Sequence, residues 1–97
     1  DLTIPLAYGL AQNFPNPFNP QTEIRFELPH ANNTRLSVYD IRGRLVKDLV
    51  SGHKAAGRHS VVWTGRDNAG RQVASGVYYY KITSGEFNET KRMTLVK

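Results

Sequence analysis

The pattern that most constrains this chain is alternation, cut at short intervals by turn residues. Residues 23–28 put Ile24, Phe26 and Leu28 on one side and Glu23, Arg25 and Glu27 on the other. A two-residue repeat of this kind is the signature of a strand with one buried face. Residues 34–39 repeat it, with Leu36 and Val38 opposite Arg35 and Ser37, and in residues 59–64 His59, Val61 and Trp63 share a face. The run 77–83 is β-branched and aromatic, which suits a pleated, half-buried surface. In 87–96, Met93 and Leu95 oppose Arg92, Thr94 and Val96. Residues 45–50 are less regular, since Leu45, Val46, Leu49 and Val50 also fit a helical turn or two. The flanking Gly43 and Gly52 leave too little length for a stable helix, so strand is preferred. Residues 72–74 read as a further short strand.

Between these runs stand turn signals. Asp40 to Arg44 reads as a turn with Gly43 at its tight position. Asp67-Asn68-Ala69-Gly70 is a polar reversal, Ser75-Gly76 a corner, and Ser84-Gly85-Glu86 a hairpin turn. Asp, Asn and Gly tolerate the backbone angles that such reversals need. Seven short strands spaced at roughly 8–12 residues predict an all-β, antiparallel β-sandwich. Trp63, the single tryptophan, and part of the Tyr78-Tyr79-Tyr80 run are expected to share its core. With 97 residues, one domain is expected, spanning 10–97, with 1–9 a linker or the end of a preceding domain. Pro15, Pro17 and Pro20 make 10–20 a stiff, non-helical lead-in. Phe14 and Phe18 are its expected anchors into the sandwich edge.

The chemistry of an enzyme is hard to find. The chain has no cysteine, which removes disulfides and thiolate metal sites. His30, His53 and His59 lack metal-ligand spacing, and Asp40 and Asp67 sit where carboxylates cap turns. The segment at Asp67 lacks the alternating acids of a calcium loop. No catalytic residue, cofactor or metal is expected. The net charge of +5 comes from 13 basic residues scattered along the chain, a solvated surface rather than a nucleic-acid site. No apolar run approaches the ~18 residues of a membrane-spanning helix.

Five motifs in fixed order carry a resemblance. They are Gln12-Asn13-Phe14-Pro15-Asn16-Pro17-Phe18-Asn19-Pro20; Leu36-Ser37-Val38-Tyr39-Asp40 with Arg42-Gly43-Arg44 and Val46; Gly57 with 59–63, Gly65-Arg66-Asp67 and Gly70; Ser75-Gly76-Val77-Tyr78; and the terminal 91–97. Over residues 10–97 the chain resembles the C-terminal sorting domain of proteins exported by the type IX secretion system of Bacteroidetes and related bacteria. That family lies close to the immunoglobulin-like domain of the flagellar hook-capping protein. Ile41-Arg42 departs from the apolar-small pair that is usual before Gly43.

The resemblance implies an immunoglobulin-like sandwich of about seven strands fused to an N-terminal cargo. The domain would direct that cargo through the periplasm and across the outer membrane to the cell surface or beyond. Its implied partners are translocon components and a sortase-like protease, with no nucleic acid and no membrane insertion. On this reading Lys91, Arg92, Met93, Leu95 and Lys97 meet the translocon through the terminal strand and its edge. Gly43, Trp63, Asp67, Gly70, Gly76 and Tyr78 maintain the fold. Two alternatives stand beside it: a structural immunoglobulin-like module of a multidomain secreted enzyme, and a carbohydrate-binding module using exposed aromatics. Burial of Trp63, Tyr78 and Tyr80 together would count against the last.

Overall fold

The alternating runs form two antiparallel sheets. The computed structural model describes residues 4–97. Its strands are β1 (Gly9–Leu10), β2 (Thr22–Leu28), β3 (Asn32–Tyr39), β4 (Leu45–Lys54), β5 (Gly57–Trp63), β6 (Gly76–Ser84) and β7 (Phe87–Leu95). One sheet has the order β1-β2-β5 and the other β4-β3-β6-β7. The all-β sandwich expected from the alternation is therefore present, and no helix occurs among the described residues.

The seven strands are not quite the predicted seven. Residues 72–74 form no strand: Gln72 makes only an isolated bridge to Arg66, and Val73 donates to the Gly65 carbonyl at 3.0 Å. The seventh strand is β1, which pairs Gly9 with Glu27 and Leu10 with Phe26. Of the predicted linker, residues 1–3 lie outside the described residues, and Tyr8 stacks on Phe87 with ring centroids 4.6 Å apart. Strand β4 runs on through His53 to Lys54, past the strand read over residues 45–50. Its pairing with β3 slips at Leu36/Ser37 and Val38/Tyr39. The slips leave Leu49 and Val46 as extra residues, and two bulges in one edge strand explain its helix-like apolar spacing.

The core lies where Ile24, Phe26 and Leu28 of β2 meet Leu36, Val38, Tyr78, Tyr80, Ile82, Met93 and Leu95; all are buried. Each such side chain contributes about 1.5–3 kcal/mol through burial. At one end of this core Trp63 meets Phe18 at 5.6 Å and Tyr78, edge-on, at 5.4 Å. The expected sharing of a core by Trp63 and the tyrosine run is realised through Tyr78 and Tyr80. The lead-in is anchored by Phe18, 2% exposed, but not by Phe14, 79% exposed. Phe14 instead holds the chain through its backbone, exchanging two hydrogen bonds with Glu23 at 3.0 and 2.9 Å.

Candidate functional site

Two turns with the pattern Asp-x-x-Gly-Arg shape one part of the domain, and they are built alike. In the first, the Asp40 N–H donates to the Arg44 carbonyl at 3.0 Å and the Gly43 N–H to the Asp40 carbonyl at 2.9 Å. Asp40 Oδ1 accepts from the Arg42 and Arg44 amides at 2.9 and 3.0 Å, and Oδ2 from Arg44 Nε at 3.0 Å. In the second, the corresponding backbone bonds from Asp67 and Gly70 are both 2.9 Å. Asp67 Oδ1 accepts from Ala69 and Arg71, and Oδ2 from Arg71 Nε. Gly43 and Gly70 close the turns at φ 80° and 82°, a region where a Cβ crowds the backbone. The pair Ile41-Arg42 costs this geometry nothing, because Ile41 is exposed and Arg42 contributes its backbone amide.

The second turn also covers an edge. The Asn68 amide donates to the Val46 carbonyl at 3.0 Å, and Asn68 Oδ1 accepts from the Asp48 amide at 3.1 Å. Two backbone groups at the bulges of the outer edge of β4 are thereby satisfied, which blunts that stretch against pairing with another chain.

Three carboxylates in this region are held below their ordinary range. The Arg44 amide lowers Asp40, the Arg71 amide lowers Asp67, and the Ser37 hydroxyl lowers Asp48, with Arg35 and Asn68 assisting. A carboxylate whose pKa is depressed by folding stabilises the fold fully above its unfolded value. That stabilisation disappears as pH falls through the folded value. The urea midpoint is therefore expected to hold from pH 7 to about 5 and to drop below about pH 4. Replacing Asp40 and Asp67 together by asparagine is expected to flatten the drop; an unchanged slope would refute the assignment.

The lead-in forms a strap along the last strand. Buried Asn13 donates its amide to Tyr80 Oη at 2.8 Å, and Tyr80 Oη donates to the Ala11 carbonyl at 2.7 Å. Asn13 Nδ2 donates to Thr22 Oγ1 at 3.0 Å. Gln12 Nε2 reaches the Arg92 carbonyl at 2.7 Å, and Asn16 Oδ1 accepts from the Thr94 amide at 3.0 Å. The Phe18 amide donates to the Thr94 carbonyl and its carbonyl accepts from the Val96 amide, both at 3.0 Å. The outer edge of β7 from Arg92 to Val96 is thus already occupied by the domain itself. Burial pushes the Tyr80 hydroxyl up to about 12. Tyr80→Phe removes the acceptor of a buried amide and is expected to cost about 1–3 kcal/mol in chemical denaturation. A cost below about 0.5 kcal/mol would show that the strap needs no such anchor.

The structure divides the predicted site residues by accessibility. Met93 and Leu95 are core, 0% and 2% exposed. Lys91 points to the inner face and pairs with Glu89 at 3.3 Å. Arg92 and Lys97 are exposed, and the Lys97 amide donates to Ser75 Oγ at 3.1 Å. Of the residues assigned to the fold, Trp63 Nε1 donates to the Arg66 carbonyl and Tyr78 Oη to the Ala74 carbonyl. These two bonds fasten the loop between β5 and β6 at both ends, and Gly76 opens β6 at φ 150°. Sequence reasoning named Gln12, Asn13 and Asn16 only as part of the opening motif and missed their hydrogen bonds to Arg92, Tyr80 and Thr94. It also missed Asn68.

Trp63, Tyr78 and Tyr80 are all buried, so none of them offers a ring face to a sugar. His59 stacks on Phe26 at 5.1 Å and contacts the Ala55 carbonyl through Nε2 at 2.8 Å. Among the described residues, no three His, Cys, Asp or Glu side chains converge on a metal position.

The family described as FlgD Ig-like domain matches residues 14–86. No curated protein matches the chain by sequence. Among solved structures, FlgD of P. aeruginosa is 27% identical with a TM-score of 0.60, over 76% of this chain and 57% of that one. PorU of Porphyromonas gingivalis, solved in a dimeric latent form, is 21% identical with a TM-score of 0.66, over 88% of this chain and 9% of its own. PorZ of the same organism is 20% identical with a TM-score of 0.60, over 93% of this chain and 11% of its own. PorZ is described as an essential bacterial surface component of the type-IX secretion system. The chain therefore spans a little over half of the FlgD chain and about a tenth of PorU and PorZ, and the likeness to PorU and PorZ is one of fold.

Proposed function

Because the chain belongs to the FlgD Ig-like domain family, we propose that it is a non-catalytic immunoglobulin-like module serving as a C-terminal sorting signal. It carries a fused cargo across the outer membrane by the type IX route. The observation that carries this reading is the union of the two motifs at either end of the resemblance. Gln12, Asn16 and Phe18 of the opening motif bind the backbone of Arg92, Thr94 and Val96 in the terminal one. The occurrence of the same fold within PorZ, a surface component of that system, supports it.

In this proposal the roles of the terminal residues separate. Arg92 and Lys97 meet the translocon with their side chains, with Lys91 at the margin. Met93 and Leu95 hold the strand in register from inside. Gly43, Trp63, Asp67, Gly70, Gly76 and Tyr78 keep the turns and core in shape. Strand addition to the terminal edge is confined to its first half, since the strap fills the rest. There the inward charges Glu89 and Lys91 act against a new partner strand.

The test is export of a reporter fused to residues 4–97 in a host with a working type IX system. The expected result is surface delivery by the parent fusion and its loss with Arg92→Glu/Lys97→Glu at an unchanged melting temperature. A folded domain that leaves its reporter in the periplasm would overturn the proposal and favour the structural module.

A further inference from the structure

The two sheets present outer faces of different electrical character. On the three-stranded sheet the arginines are matched: Arg25 pairs with Glu23 at 3.1 Å and Arg58 with Glu27 at 2.8 Å. On the four-stranded sheet, Arg35 is matched by Asp48 at 2.9 Å, while Lys81 and Arg92 have no ion-pair partner among the described residues. Both are exposed on strands whose neighbouring side chains, Tyr80, Ile82 and Met93, are buried.

Register sets what lies beside these cations. Tyr39 pairs with Leu45 on one side and Tyr79 on the other, and Tyr79 pairs with Arg92. Leu45, Tyr39, Tyr79 and Arg92 therefore form one row across the sheet, with Lys81 two residues from Tyr79 on the same face. Leu45 is 43% exposed and Tyr79 37% exposed. Half-exposed tyrosine and leucine with unpaired cations beside them resemble the composition of protein–protein contact surfaces, where Tyr and Arg are enriched.

We infer that this face, centred on Tyr79 with Lys81 and Arg92 at its border, docks a protein surface that presents carboxylates around an apolar or aromatic centre. Unpaired cations steer an acidic partner and fix its orientation. The row supplies a flat apolar contact for its middle. A protein occupant is favoured over a sugar because Tyr39 is half-buried and the row is completed by an aliphatic side chain, not by a second fully open ring. That the partner belongs to the export route rests on the function proposed above; the charge and register argument does not.

The test is an NMR titration of the 15N-labelled 97-residue chain with a synthetic peptide of alternating glutamate and tyrosine. Its counterpart with glutamine in place of glutamate, and dextran sulfate, are the comparison probes. The acidic peptide is expected to shift the amides of Tyr39, Leu45, Tyr79, Lys81 and Arg92. The shifts should fade with added salt and be absent with the glutamine peptide. Tyr79→Thr/Lys81→Glu, which keeps the strand's propensity, should bind at least about tenfold more weakly, a loss of about 1.4 kcal/mol or more, at an unchanged melting temperature. Absence of binding, or shifts spread over basic residues of both sheets, overturns the inference. So does dextran sulfate shifting this face where the peptide does not, which would assign a polyanionic glycan. In the reporter assay, export by the parent fusion that survives Tyr79→Thr/Lys81→Glu removes the face from the export route while leaving the sorting proposal intact. Failure of the parent fusion removes the sorting proposal, and the titration alone then decides the face.

Discussion

Trp63→Ala is expected to lower stability by about 3–5 kcal/mol, the usual cost of emptying a large aromatic site in a core. The ring contacts Phe18 and Tyr78 from two different segments, and its Nε1 holds the Arg66 carbonyl at the start of the loop that follows β5. Removing it uncouples the lead-in, the β5–β6 loop and β6 together. Small domains have about 5–15 kcal/mol in total, so the variant would sit close to unfolding. Its thermal midpoint should fall by roughly 12–40 °C, at about 4–8 °C per kcal/mol. Phe14→Ala is the matched control, since that ring is 79% exposed, and should change stability by less than about 0.5 kcal/mol. Similar losses for the two variants would show that the contacts around Trp63 are not what holds this end of the sandwich.

Removal of residues 91–97 is expected to unfold the domain outright. The deletion takes away Met93 and Leu95 from the core, where truncation of one such side chain to alanine already costs about 2–5 kcal/mol. It also strips β6 of its partners from Gly76 to Tyr80 and leaves Phe18 with no strand to bridge. Far-ultraviolet circular dichroism and proton NMR dispersion should both report loss of structure. Retained dispersion would mean that the last strand is an appendage. If the domain does unfold, failure of a truncated fusion to be exported says nothing about which residues are read. The charge reversals at Arg92 and Lys97 separate recognition from folding.

The sandwich could be read from the sequence because most strands bury one face. In β2, β6 and β7 the alternation is matched by the burial pattern almost residue by residue. Where the physics is not periodic, the reading failed. Strand β1 is two residues long, too short to show a period, and one of them is glycine. Val73 packs against the core from a loop and so looks like a strand residue without being one. The irregularity of β4 comes from bulges, which depend on its pairing with β3. The alternation in the terminal strand puts Met93 and Leu95 on one face, the buried one, against the resemblance that offered them as translocon contacts, but nothing local shows that Gln12, Asn16 and Phe18 lie along its edge. Those contacts join residues 80 and 78 positions apart, and local pattern carries no trace of them.

That separation has a kinetic side. Contacts between distant positions form only after the entropy of a long loop has been lost, and domains dominated by them fold in milliseconds to seconds rather than microseconds. Here Phe14 already meets Glu23 nearby in sequence, but Phe18 finds its backbone partners in Thr94 and Val96, so the end of the lead-in is tied down only once β7 has joined the sheet. Until that contact forms, Phe18 lacks the backbone partners that hold it against Trp63.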